Sequence, residues 1–192
     1  MNDCLPKILS AITHGDEHAF AQLYHNYHKR LVAFSKTIVH SNELAEEVVE
    51  DVFIKIWRNR QHLQHVNNLT VYLYVATKNG SLNCIAKKAK ELTFTPFDGI
   101  DFEFDHPAAN PCDLMITNEM HVRMKQAIDA LPPRCKMIFK LVREDGLKYK
   151  EVATVLNIAV NTIDAQMAIA VKRISEALHI TKPIKFSSSK KV

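Results

Sequence analysis

Apolar residues along this chain recur at helical spacing. In residues 147–178, Tyr149, Val152, Ala153 and Leu156 follow that period, Asn157 interrupts it, and Ile158 and Val160 bridge. Ile163, Met167, Ala170, Ile174 and Leu178 then resume it. The pattern predicts two helices joined at a fixed angle by a tight turn, with Asn157 supplying the left-handed residue such a turn requires. This is helix-turn-helix geometry, whose second helix commonly lies in a DNA major groove.

The preceding stretches are also helical in period. Leu5, Ile8, Leu9 and Ile12 make a short amphipathic start that ends at Gly15, and Asp16 is placed to cap a longer helix. Phe20, Leu23, Tyr24, Tyr27, Leu31, Phe34 and Ile38 form its apolar stripe. After the capping residues His40, Ser41 and Asn42, a broad apolar face runs from Leu44 through Val48, Val49, Val52, Phe53 and Ile56 to Trp57. A loop is expected over 61–68 and a third helix over 69–90. Gly80 is expected to weaken the middle of that helix, while Leu73, Ala76, Leu82, Ile85 and Ala86 face the first two helices. Beyond a break in the pattern, Leu114 to Leu131 and Cys135 to Val142 make two further helices separated by Pro132-Pro133.

With only four glycines and a composition dominated by Ala, Leu, Lys, Glu and Val, the expected class is all-α. Two small helical domains are expected: 1–91, then an acidic flexible linker at 92–112, then 113–180, followed by a basic tail at 181–192. Between Leu92 and Glu119 there are six Asp or Glu and no Lys or Arg, and Pro96, Gly99, Pro107 and Pro111 break any helix. The linker's acidity fits plain solvation, and it also fits a segment lying in a groove built for nucleic acid.

The net charge of +4 is a weak signal, but its distribution is informative. From Met120 onward there are fourteen Lys or Arg against six Asp or Glu, whereas residues 1–91 hold eleven against nine. The basic surplus therefore accompanies the helix-turn-helix. In the third helix, aromatic residues precede Lys87, Lys88 and Lys90. That combination suits an unpaired strand, because rings stack on bases while lysines follow phosphates. Tyr72 and Tyr74 fit a domain core equally well.

Cys4, Cys84, Cys112 and Cys135 are scattered with no C-x-x-C pair, as in a reduced cytoplasmic protein. The histidine pairs His25/His28 and His62/His65 lack the further ligands of a metal site, so neither metal nor cofactor is expected. Asp3 and Pro6 interrupt any signal-peptide run, and no apolar stretch approaches the roughly twenty residues of a membrane span. No nucleophile, base and orienting group converge, so no catalytic residue is assigned.

In this order, three segments resemble the sigma-70 family of bacterial transcription factors, in particular the extracytoplasmic-function group in the form common in Bacteroidetes. Residues 43–60, ELAEEVVEDVFIKIWRNR, resemble the family's regions 2.1 to 2.2, with Ala45, Glu46, Asp51, Phe53 and Trp57 on the motif. Residues 72–90 are similar to regions 2.3 and 2.4, and residues 130–178 to region 4. The resemblance implies a subunit of RNA polymerase that confers promoter specificity, with core polymerase, duplex and melted promoter DNA, and an anti-sigma factor as partners. It implies polymerase contacts on Glu47, Glu50, Asp51, Arg58 and Arg60. Tyr74, Lys78, Asn79, Asn83, Lys87 and Lys88 would meet the melted minus-10 strand.

The minus-35 duplex would meet Asn161, Thr162, Ala165 and Gln166, with Lys172 and Arg173 near the backbone. Ala159 replaces the Ser that often caps this helix, and Asp164 stands where a basic residue is frequent, so a different sequence preference is expected. The alternative to this reading is a stand-alone helix-turn-helix regulator.

Overall fold

The computed structural model describes residues 5–91 and 115–179, and every regular element among them is helical. In order these are α1 (Leu5–Thr13), α2 (Glu17–Val39), α3 (Asn42–Arg58), a 3-10 turn (Arg60–His65), α4 (Leu69–Glu91), α5 (Met115–Asp129), α6 (Pro133–Arg143), α7 (Tyr149–Leu156) and α8 (Val160–Ala177). They form two compact units, the first built on α1–α4. The expected linker and tail lie outside the described residues.

Local chemistry sets the helix boundaries of the first unit. Asp16 caps α2 by accepting hydrogen bonds from the backbone N–H groups of His18 and Ala19, at 2.9 and 3.0 Å. His40, with φ +56°, ends α2 in the left-handed conformation, and Ser41 then caps α3 through the N–H of Leu44. The stretch expected as a loop at 61–68 is in part the 3-10 turn. It tucks Leu63 into the core at 2 % exposure.

Helices α2, α3 and α4 pack together around Leu23, Leu31, Phe34, Val49, Val52, Phe53, Ile56, Leu73 and Tyr74, all buried. Between α2 and α3, Phe20 meets Phe53 edge-on and lies 4.8 Å from the Trp57 ring, while Tyr24 lies 4.9 Å from Phe53.

Contrary to the expected weak point, α4 runs unbroken through Gly80. The glycine is there for proximity: a Cβ at this position would stand 3.0 Å from Val48 Cγ1 on α3. At the next residue, the buried Ser81 hydroxyl hydrogen-bonds Thr77 O and Ser35 Oγ, each at 2.8 Å. Small residues thus let α4 approach both neighbours closely. Leu73 stays inside, but the C-terminal half of the helix turns its larger aliphatic residues outward. Leu82 and Ile85, expected in the core, are 51 % and 40 % exposed.

The second unit is built on α5, α6 and α8, with α8 packed on both α5 and α6. Leu131, Cys135, Ile138 and Leu141 lie against Ile163, Met167, Ala170 and Ile174 in its buried set. Gly146, with φ +72°, turns the chain after α6. Glu151 then accepts from the N–H of Lys148 at 2.8 Å, half of a capping box at the start of α7. Asn157, at φ +55°, ends α7, and the N–H of Ile158 reaches back to the carbonyl of Ala153. The chain bends by 109° between α7 and α8, the crossing expected of a helix-turn-helix.

Candidate nucleic-acid and protein interfaces

On α3, Glu47, Glu50 and Asp51 share one face with Arg58, two turns beyond Asp51, and all are exposed. They share this face with Ile54, which is 47 % exposed and sits in the middle of the charged ring. The apolar face read from the sequence leaves Ile54 out, and helical period places it opposite Val49, Val52 and Ile56, among the charged residues. An apolar centre within a charged rim is the usual anatomy of a protein interface. Glu50 and Glu46 also border α2. Burial first, then these two carboxylates, raise the Tyr24 phenol above its ordinary pKa, so it stays a neutral hydroxyl.

Arg60 does not belong to this face. It lies in the 3-10 turn, half-buried, with its guanidinium 4.9 Å from the Trp57 ring centroid and Nη1 donating to Trp57 O at 3.2 Å. Its role here is to lock the turn onto the end of α3.

On α4 the expected strand-binding residues separate into groups. Asn79 and Asn83 are exposed on one face, which Tyr72, 41 % exposed, extends by two turns toward the N-terminus. Lys78 is half-buried on the flank, while Lys87 and Lys88 are exposed at the C-terminal end. Lys88 leans toward α3. The Glu43 carboxyl lies below its usual range, mainly through the hydrogen bond from the Ser41 hydroxyl, with Lys36 and Lys88 adding smaller electrostatic contributions.

Tyr74 must be corrected. It is fully buried, with its ring 5.1 Å from that of Phe34, and it cannot stack on a base without leaving the core. The exposed aromatic of this helix is Tyr72. Period arithmetic decides between the two only when the buried face is known, and Thr77, Gly80 and Ser81 disguise that face in the sequence.

On α8 the buried face is Ile163, Met167, Ala170 and Ile174. Opposite it, Asn161, Ala165, Ala168, Ile169 and Lys172 are exposed, and Ile169 keeps 40 % of its surface open. Thr162 and Gln166 lie half-buried on one flank with the exposed Arg173, while Asp164 stands on the other. Lys172 lies 4.0 Å from Glu176. Cys135 Sγ donates to the backbone carbonyl of Gln166 at 3.2 Å, which ties α6 to the middle of α8. Burial pushes the Cys135 thiol above its ordinary pKa, with Arg173 opposing, so it remains a neutral donor. Ala159 contributes no side-chain cap to α8, as its identity implied.

Among the described residues no single helix is long and apolar enough to cross a membrane.

Comparison with known proteins places these surfaces in context. Residues 23–91 match the family model of sigma-70 region 2, and residues 121–181 match that of sigma-70 region 4. The chain is 25 % identical to the RNA polymerase sigma-H factor of Pseudomonas aeruginosa over 178 residues, covering 90 % of this chain and 92 % of that protein. It is 25 % identical to the extracytoplasmic-function sigma-E factor of Escherichia coli over 166 residues, covering 83 % and 86 %. Two solved structures share the fold. One is the sigma factor RpoE of Bartonella quintana in complex with the anti-sigma factor NepR, with TM-score 0.60 and 22 % identity over 85 % of this chain and 98 % of that one. The other is CnrH in complex with the cytosolic domain of CnrY, with TM-score 0.52 and 15 % identity over 91 % and 97 %.

Proposed function

Since the chain belongs to the extracytoplasmic-function group of the sigma-70 family, with both region 2 and region 4 present, we propose a division of labour among its three exposed helix faces. As a sigma factor it binds core RNA polymerase and directs initiation to particular promoters. The family role is non-catalytic and cytoplasmic; phosphoryl transfer belongs to the polymerase. Residues 1–91 serve polymerase binding and minus-10 melting, 113–180 read the minus-35 duplex, and 92–112 join them. An anti-sigma factor is a further partner, by analogy with the RpoE complex.

The α3 face of Glu47, Glu50, Asp51, Ile54 and Arg58 docks on core polymerase. On α4, Asn79 and Asn83 offer amide donors and acceptors to the edges of unpaired bases, Tyr72 offers a stacking ring, and Lys78, Lys87 and Lys88 attract the phosphates. On α8, Asn161, Thr162, Ala165 and Gln166 face base edges, while Lys172 and Arg173 approach the backbone. The observation that carries this reading is the ordered pair of family matches, one on each helical unit.

Two lysines at the end of α4 provide a test of the melting role. Lys87→Glu with Lys88→Glu replaces two phosphate-attracting charges by repelling ones at exposed positions. Open-complex formation by the reconstituted holoenzyme is expected to fall on the order of tenfold, with a shallower salt dependence and an unchanged unfolding midpoint. Permanganate reactivity of promoter thymines reads strand opening directly, and wild-type reactivity in the double variant would reject the assignment.

A further inference from the structure

The exposed surface of α8 is unusual for a helix that meets DNA. Lys172 is the first basic residue of the helix, so no Lys or Arg occurs from Val160 to Val171. The commonest side-chain contact that specifies a base, Arg or Lys on guanine O6 and N7, is therefore unavailable over its first three turns. What the helix exposes there instead is Asn161 and Asp164, with Ala165, Ala168 and Ile169.

Ile169 is the notable member. The other large aliphatic side chains of the helix are withdrawn, with Ile163 at 0 %, Met167 at 3 % and Ile174 at 2 % exposure, whereas Ile169 stands at 40 %. It therefore has apolar surface left to remove from water when a partner arrives. Ala165 and Ala168 beside it are short enough to let the groove floor come close. The apolar feature of the major groove is the thymine 5-methyl group, and the chemistry of Asn161 suits adenine N6 and N7. From Asn161 to Ile169 the helix rises about 12 Å, which spans roughly three to four base pairs.

We propose that Ala165, Ala168 and Ile169 read the upstream promoter element through thymine methyl groups, with Asn161 on adenine, so that this chain selects an A·T-rich minus-35 element. The proposal rests on the placement of α8 in the major groove given above, and it names what that helix selects. Asp164, exposed on the flank one turn before Ala168, borders this apolar face with a carboxylate. The backbone attraction comes later, from Lys172 and Arg173.

Deoxyuridine lacks only the 5-methyl group of thymidine, so it tests the proposal atom by atom. The holoenzyme, reconstituted from core polymerase and the full chain, selects promoters from a library randomised upstream of the start site. Each thymine of the selected upstream element is then replaced in turn by deoxyuridine. An A·T-rich element is expected, with about fourfold weaker promoter binding for each contacted methyl removed. Ile169→Ala should show a comparable loss on the unmodified promoter and become insensitive to uracil at the position Ile169 covers. A G·C-rich upstream element, binding indifferent to uracil, or undiminished uracil sensitivity in Ile169→Ala would each overturn the proposal while leaving the sigma assignment standing. Failure to select any promoter would instead remove the sigma assignment, and this proposal with it.

Discussion

Tyr74→Ala is expected to unfold the first helical unit at moderate temperature rather than to weaken strand binding by a folded protein. The ring is fully buried and packs edge-on against Phe34, so its removal leaves a cavity between α2 and α4. Truncating a buried aromatic residue costs about 3–5 kcal/mol. A unit of this size has about 5–15 kcal/mol in total, so much of the stability of the first unit would be lost. Tyr74→Phe keeps the ring and should lose no more than about 1–2 kcal/mol. Denaturant unfolding of the two variants separates core residue from base-stacking residue. A base-stacking Tyr74 would leave both midpoints unchanged and affect only DNA opening.

Ile54→Glu is expected to have the opposite character, with a large loss of polymerase binding and little change in folding. Ile54 is half exposed, so a glutamate there meets solvent in the free protein. In a docked complex it would place a charge at the centre of the ring formed by Glu47, Glu50, Asp51 and Arg58. Central apolar anchors of interfaces carry about 2 kcal/mol or more, so affinity for core polymerase should fall about 30-fold or further. Titration of labelled chain with core polymerase measures the change. If affinity is unaltered and the unfolding midpoint preserved, the polymerase-docking surface lies elsewhere.

Much of the architecture was legible because helix period, caps and breakers agree with the tertiary structure. Asp16, Ser41 and Asn157 each occupy the cap or turn position that their chemistry favours. The misreadings concentrate on α4, for one physical reason. Beyond Leu73 and Tyr74 its packed face continues through Thr77, Gly80 and Ser81, small or hydroxylated residues that read as polar, so Leu82 and Ile85 were expected inside. Hydroxyls that satisfy one another, as Ser35 and Ser81 do, make such a face buriable. The same inversion hid the exposure of Leu82 and Ile85 and led to Tyr74 being chosen where Tyr72 is the accessible ring.

Among the interface candidates, exposure was legible wherever the opposite face was unambiguously apolar. On α8 the regular spacing of Ile163, Met167, Ala170 and Ile174 leaves Asn161, Ala165 and Lys172 facing outward, as the pattern predicts. Arg60 was placed by sequence adjacency on a helix that in fact ends at Arg58. Only the three-dimensional turn brings its guanidinium over Trp57.

The central assignment is tested most directly by run-off transcription with core RNA polymerase, with and without the full chain, on promoters recovered from the genome that encodes it. A sigma factor yields discrete transcripts that begin at fixed sites, depend on the added chain, and diminish with Ile54→Glu. Absence of such transcripts on every promoter, together with salt-dependent duplex binding by the chain alone, would contradict the assignment and point to a stand-alone helix-turn-helix regulator.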